Sequence, residues 1–183
     1  MTDPMTIITQ FYTPGTEVYD IFMAHGEAVR DKALALARGV ARLNPDYEFI
    51  ASAALLHDIG IFQTNDPVLK CHGKHPYICH GVIGKKLLDE LGLTRHALVC
   101  ERHVGLGITE EDVVTANLPL PRRDMRPITL EEEIICYADK FYSKLPLPPR
   151  EKTLEAVIED VKSNRYGEHK MTVFMEWTKR FGC

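Results

Sequence analysis

The chain has 183 residues, 22 Lys and Arg against 26 Asp and Glu, a formal charge of -4 and 45% apolar residues. That length buries roughly 70% of the surface its unfolded form exposes, enough for a core without staples. The acidic balance, without a basic stripe, argues against a nucleic-acid partner though not against a small nucleotide, and no apolar run nears the roughly eighteen residues of a membrane span.

Asp3 and Pro4 stand where a signal peptide needs positive charge and an unbroken apolar core, so a cytoplasmic protein is expected. Apolar residues then recur at helical spacing almost throughout, with no strand alternation, which predicts an all-α fold. A first helix or helix pair is expected from about Thr16, an N-cap, to Leu43, with Asn44 and Pro45 ending it and capping the next. The next helix should end at Gly60 in a left-handed C-cap. A polar loop leads to a third helix, about Tyr77 to Leu91, stopped by Gly92, and Thr94 should cap a fourth reaching His103. Irregular chain follows to Thr129, with one short helix opened by Thr109. A Thr-x-x-Glu box, Thr129 to Glu132, opens the helix carrying Asp139. Pro146, Pro148 and Pro149 precede two packing helices, about Glu151 to Ser163 and Gly167 to Phe181, with His169 exposed. Cys79, Cys100 and Cys136 sit in apolar helical patterns, so structural disulfides are not expected.

Six ionisable residues fall where this pattern wants apolar ones. His25 follows Ile21 and Phe22, His57 follows Ala53 and Ala54, and His80 precedes Ile83 and Gly84. His103 follows Val99 and Cys100, Asp139 follows Ile135 and Cys136, and Asp58 adjoins His57 at a helix end. A buried carboxylate needs a cation or a hydrogen-bond network. Taken singly, each residue could be a satisfied core group; together they would need several separate networks, whereas one metal centre accounts for all. Imidazole and carboxylate suit zinc, iron or manganese, and six such ligands with one bridging carboxylate can hold two ions about 3.5 to 4 Å apart.

His25, the pair His57-Asp58 and the distant Asp139 resemble the signature of the HD superfamily, and His57-Asp58-Ile59-Gly60 is similar to its HDIG variant. The resemblance covers about residues 20–143 and implies a single HD domain, a helical bundle, with a C-terminal helical extension over about 150–183. It implies hydrolysis of phosphoester or phosphoanhydride bonds of nucleotides. His80 and His103 match the two-metal subset that includes the symmetrical diadenosine tetraphosphate hydrolases. The implied ligands are His25, His57, Asp58 and Asp139 for one ion, and His80 and His103 with bridging Asp58 for the second, each ion iron, manganese or zinc. His57 and Asp58 are then the catalytic pair, with Asp58 orienting a metal-bound hydroxide.

Arg102, Lys140, Lys74, Arg122 and Arg123 are candidates to bind phosphate, since the first two flank ligands and the others lie on loops. The expected partner is a small phosphorylated substrate, with no nucleic acid and no membrane; a homodimer stays open. Three features depart from family patterns. Ile61 stands where many members carry lysine, Val104-Gly105-Leu106-Gly107-Ile108 lacks the Gly-Tyr-Pro of cyclic-di-GMP phosphodiesterases, and the acidic motif of alarmone hydrolases is missing. Two alternatives are an HD-fold di-iron oxygenase, which uses the same ligand set, and a regulatory module without chemistry. Cys71, His72, His75 and Cys79 match no zinc-knuckle spacing and read as a loop beside the site.

Overall fold

A computed structural model describes residues 3–163 and 169–182. The fold is all-α, apart from a two-stranded ribbon pairing β1 (Asn65–Asp66) with β2 (Cys71–His72). Residue 167, the expected start of the last helix, the side chain of His169 and Cys183 lie outside the described residues. Among the described residues no helix is long and apolar enough to cross a membrane.

Helix α1 (Pro4–Phe11) was not expected from the sequence. It is only two turns long, so its period is hard to read, and it is fixed by packing. Asp3 caps it, Ile7 and Ile8 are buried, and the Tyr12 hydroxyl donates to the Ile59 carbonyl at 2.9 Å. Helix α2 (Glu17–Gly39) starts at the expected cap Thr16, whereas α3 (Tyr47–Leu56) is capped not by Asn44 and Pro45 but by Asp46, whose carboxylate accepts from the Phe49 amide. Helices α4 (His80–Glu90) and α5 (Thr94–Arg102) form an adjacent pair. Thr94 is the first residue of α5 rather than its cap, and no side chain caps that end. Both Thr boxes close as expected, Thr109 with Asp112 on α6 (Glu110–Thr115) and Thr129 with Glu132 on α7 (Leu130–Asp139). Helices α8 (Leu154–Ser163) and α9 (His169–Phe181) complete the chain.

Helix α2 packs on α3 and α7. One core joins Val29, Ala33, Ile50, Ala54, Ile134 and Tyr137 to Val157, Phe174 and Trp177 of the last two helices. A second joins Ile8, Tyr12 and Phe22 to Leu56, Ile59, Leu88 and Cys100. Each fully buried Val, Leu, Ile or Phe side chain among these contributes about 1.5–3 kcal/mol. Ala53 and Ala54 belong to the first core and Leu56 and Ile59 to the second, so His57 and Asp58 fall at the seam between them. Cys71, Cys79, Cys100 and Cys136 are free and buried.

The turn after α3 differs from expectation. Gly60 has φ -84°, ordinary right-handed backbone, so it does not serve as a left-handed cap. Its need for glycine is steric: a Cβ there would collide with the His80 carbonyl oxygen and lie 2.6 Å from the Gly84 amide. The missing side chain lets the turn bearing His57 and Asp58 press against the start of α4.

Candidate metal centre

Five segments deliver the six residues picked out by the sequence. His25 lies on the inner face of α2, while His57 ends α3, with Asp58 next to it. His80 begins α4, His103 ends α5, and Asp139 is the last residue of α7. Four of these segments present their groups at helix ends, where the chain turns away and leaves room for polar side chains to converge. Gly81 brings α4 and α5 together, since a Cβ at that position would meet the Cys100 carbonyl and the Val104 side chain.

Asp58 sits between two groups. Its Oδ2 lies 3.4 Å from His25 Nε2 and 3.2 Å from His57 Nε2, while its Oδ1 lies 3.4 Å from His80 Nε2 and 3.5 Å from His103 Nε2. Asp139 Oδ1 closes the first group at 3.0 Å from His25 and 3.5 Å from His57. His80 and His103 meet Nε2 to Nε2 at 3.1 Å. Donor atoms of His25, His57 and Asp58, of His57, His103 and Asp139, and of Asp58, His80 and His103 each fall within 4.8 Å of one another.

Three of the rings are fixed in the same way. Nδ1 of His57, His80 and His103 lies 2.6, 2.7 and 2.8 Å from the carbonyls of Ala54, Tyr77 and Cys100. A carbonyl only accepts, so Nδ1 carries the proton and donates it, and in the neutral ring the lone pair sits on Nε2 facing the centre. His57 Nε2 and Asp58 Oδ1 are buried with no well-aligned hydrogen bond, while Asp58 Oδ2 is held by ion pairs, the shortest to the Lys144 ammonium. Such orphaned atoms are costly unless something else engages them. Two ligands around one metal at roughly 2.1 Å stand about 3.0–3.5 Å apart. The donor set, its spacing and its unsatisfied lone pairs therefore fit divalent metal.

Burial and charge split the histidines. Desolvation pushes His25 down to about 4, helped by the Lys144 ammonium. Desolvation likewise takes His80 to about 3 and lowers His103. For His57 the same burial is outweighed by the Asp58 and Asp139 carboxylates, and its pKa is raised to about 9. Burial alone would raise both aspartates. Lys144 and His57 beside Asp58, and Lys140 and His25 beside Asp139, reverse this and hold both well below the carboxylate range.

A cavity of about 540 Å³ opens beside Asp139, lined by Lys140, Lys144, Tyr77, Leu69, Leu106 and, from α8, Val157 among others. Of the five proposed phosphate-binding residues, only Lys140 lines it, paired with Asp139 Oδ2 at 2.8 Å. Arg102 makes a two-pronged contact with buried Glu132 at 2.9 and 3.0 Å, and Arg123 is held by buried Glu101. Lys74 and Arg122 are exposed and stand outside the lining. Two residues escaped the sequence reading. The Lys144 ammonium lies 2.6 Å from Asp58 Oδ2 and 5.7 Å from the centre of the Tyr77 ring, which itself packs on His80. Lys144 follows α7 in aperiodic chain, so no helical face could single it out.

An all-α frame converging four imidazoles and two carboxylates on a buried point defines a protein built around a metal-type site. Residues 14–143 match the HD domain family, and the chain belongs to that family, whose members are typically metal-dependent hydrolases. It is 42% identical over 120 residues to an uncharacterised protein of Methanocaldococcus jannaschii, covering 64% of this chain and 63% of that one. It is also similar to two proteins named tRNA (cytidine(56)-2'-O)-methyltransferase: 32% identical to that of Thermoplasma volcanium and 34% to that of Picrophilus torridus, over 125 residues each. Those matches cover 68% of this chain and 32% of each methyltransferase. No solved structure gives a significant match.

Proposed function

We propose that the chain is a metal-dependent phosphohydrolase that cleaves a phosphoester or phosphoanhydride bond of a nucleotide or related small phosphorylated molecule at a two-ion centre. The observation that carries this reading is the split of Asp58, one oxygen toward His25 and His57 and the other toward His80 and His103. In this reading His25, His57, Asp58 and Asp139 would hold one ion, and His80, His103 and Asp58 the second. Ions bound there would lower the pKa of a coordinated water and offset negative charge on the phosphoryl oxygens.

The protein's own contribution is orientation and exclusion of water. Backbone carbonyls hold the rings of His57, His80 and His103 in one tautomer, so no reorganisation is needed at the moment of reaction. Asp58, the catalytic residue shared by both halves, orients the attacking oxygen, and His57 fixes the first half from the same turn. Lys140, on the cavity wall, is placed to meet an anionic group entering beside Asp139. Tyr77 and Leu69 supply apolar wall that keeps bulk water from the reacting bond.

Two relatives bear the name of an RNA methyltransferase, but the charge of -4 and the engagement of Arg123 and Arg126 with Glu101 and Asp124 disfavour an RNA surface on this chain. The test is hydrolysis of a panel of mononucleotides, dinucleoside polyphosphates and simple phosphomonoesters, read by chromatography of the nucleotide products beside a phosphate assay, with metal analysis of the same preparation under air and under nitrogen. Hydrolysis that disappears in Asp58→Ala supports the proposal. Two irons with oxygen-dependent turnover and no hydrolysis would instead make the chain a di-iron oxygenase.

A further inference from the structure

The ammonium of Lys144 reaches the same atom that the first half of the centre turns inward. It lies 2.6 Å from Asp58 Oδ2 and 3.5 Å from His25 Nε2, and its side chain is 13% exposed. Two cations cannot sit comfortably on one buried carboxylate oxygen, because like charges a few ångströms apart repel strongly where water is scarce. Lys144 also lines the cavity of about 540 Å³ beside the centre, so its flexible stem can turn the charge either way.

The cavity wall narrows the choice of ligand. Its lysines face an equal number of aspartates: Lys140 is paired with Asp139, Lys152 with Asp160 at 2.9 Å, and Asp66 also lines the wall. This balance leaves little spare positive charge for a long polyphosphate. Tyr77, Leu69, Leu106, Val157 and Val161 offer an apolar surface for a compact body.

Building on the two-ion reading above, we infer that Lys144 is an exchangeable counter-ion. It neutralises Asp58 in the metal-free protein, yields that oxygen to the incoming ion, and then holds the anionic head of a small phosphomonoester in the adjoining cavity. One lysine thereby couples metal loading to substrate binding: the anion site is completed only once the metal has displaced the ammonium. Lys144 is a binding and positioning residue, and the ligand class is a single phosphate on a compact, partly apolar body.

The test compares full-length wild type, Lys144→Met and Lys152→Met by calorimetric titration with Mn²⁺ alone, then with inorganic phosphate on the Mn²⁺-loaded protein. The expected pattern has opposite signs. Lys144→Met binds Mn²⁺ about tenfold or more tightly, having lost an internal competitor, and binds phosphate about tenfold or more weakly. Lys152→Met, whose ammonium sits on Asp160 away from Asp58, keeps the wild-type Mn²⁺ affinity. Unchanged or weaker Mn²⁺ binding in Lys144→Met, unchanged phosphate binding, or the same gain in both variants would overturn the inference.

Should Lys144→Met fail to fold, ¹³C-lysine spectra of wild type decide the matter. The Lys144 signal, identified by its loss in Lys144→Arg, moves on adding Zn²⁺ and again on adding phosphate; a signal indifferent to Zn²⁺ refutes the exchange. The two levels of the account fail separately. Wild type that binds no Mn²⁺ removes both the metal centre and the exchange. Wild type that shows the exchange but hydrolyses no substrate of the panel removes only the hydrolase reading.

Discussion

The two halves of the centre are built from different materials. The half formed by His25, His57 and Asp139 is charged: two carboxylates face it, two lysines press on them, and His57 is held protonated to about 9. The half formed by His80 and His103 meets one oxygen of Asp58 between two imidazoles, and burial lowers the pKa of both rings. A cation gains more from the charged half, but must first displace a proton and an ammonium. The neutral half offers ready lone pairs and less charge. Unequal occupancy is the expected consequence, with the carboxylate half the tighter site once loaded.

The largest predicted effect comes from removing what the halves share. Asp58→Ala should lose both ions and lower phosphate release by more than about a thousandfold, read by metal content and a phosphate assay. Next, Asp139→Ala and His80→Ala should each cost one ion, and Asp139→Ala should weaken the tighter site. Each should lower release by about a hundredfold; equal binding isotherms for the two variants would break the comparison. Gly60→Ala acts through packing, driving a methyl group into the His80 carbonyl. It should lower stability by about 1–3 kcal/mol, seen as an earlier denaturation midpoint.

The smallest effect separates His57 from His25 and His80 by the sign of its pH dependence in chelator-treated protein. His25 and His80 have folded values of about 4 and about 3, below the ordinary 6.5, so the unfolded chain binds more protons and stability falls as pH drops from 6.5 toward 4. His57 is raised to about 9, so the folded chain binds more protons between 6.5 and 9 and stability falls as pH rises through that window. A denaturation midpoint that peaks near pH 6.5 is expected without metal. A midpoint that keeps climbing to pH 9 would contradict the protonated state of His57.

Much of this organisation was legible in the sequence because it is written in helical period. His25, His57, His80, His103 and Asp139 interrupt apolar stripes, and helices three or four residues per turn leave such interruptions on the inner face. Thr109 and Thr129 announced their helices through boxes that close locally. What stayed hidden depends on long-range contact. Helix α1 owes its place to Ile8 and Tyr12 packing on the second core, and Gly60 to the backbone of His80 and Gly84 on the next helix. Lys144 approaches Asp58 across 86 positions from a proline-rich stretch with no period. Arg102 and Arg123, read as phosphate contacts from position alone, stand on Glu132 and Glu101, buried carboxylates whose need for a partner no local pattern records.

The central claim is that one carboxylate, Asp58, joins two metal sites in this chain. Its most direct test is metal-loaded mass spectrometry of the intact protein under non-denaturing conditions, wild type beside Asp58→Ala. The account predicts two divalent ions on wild type and none retained by the variant; wild type without bound metal, or a variant that keeps both ions, would contradict it.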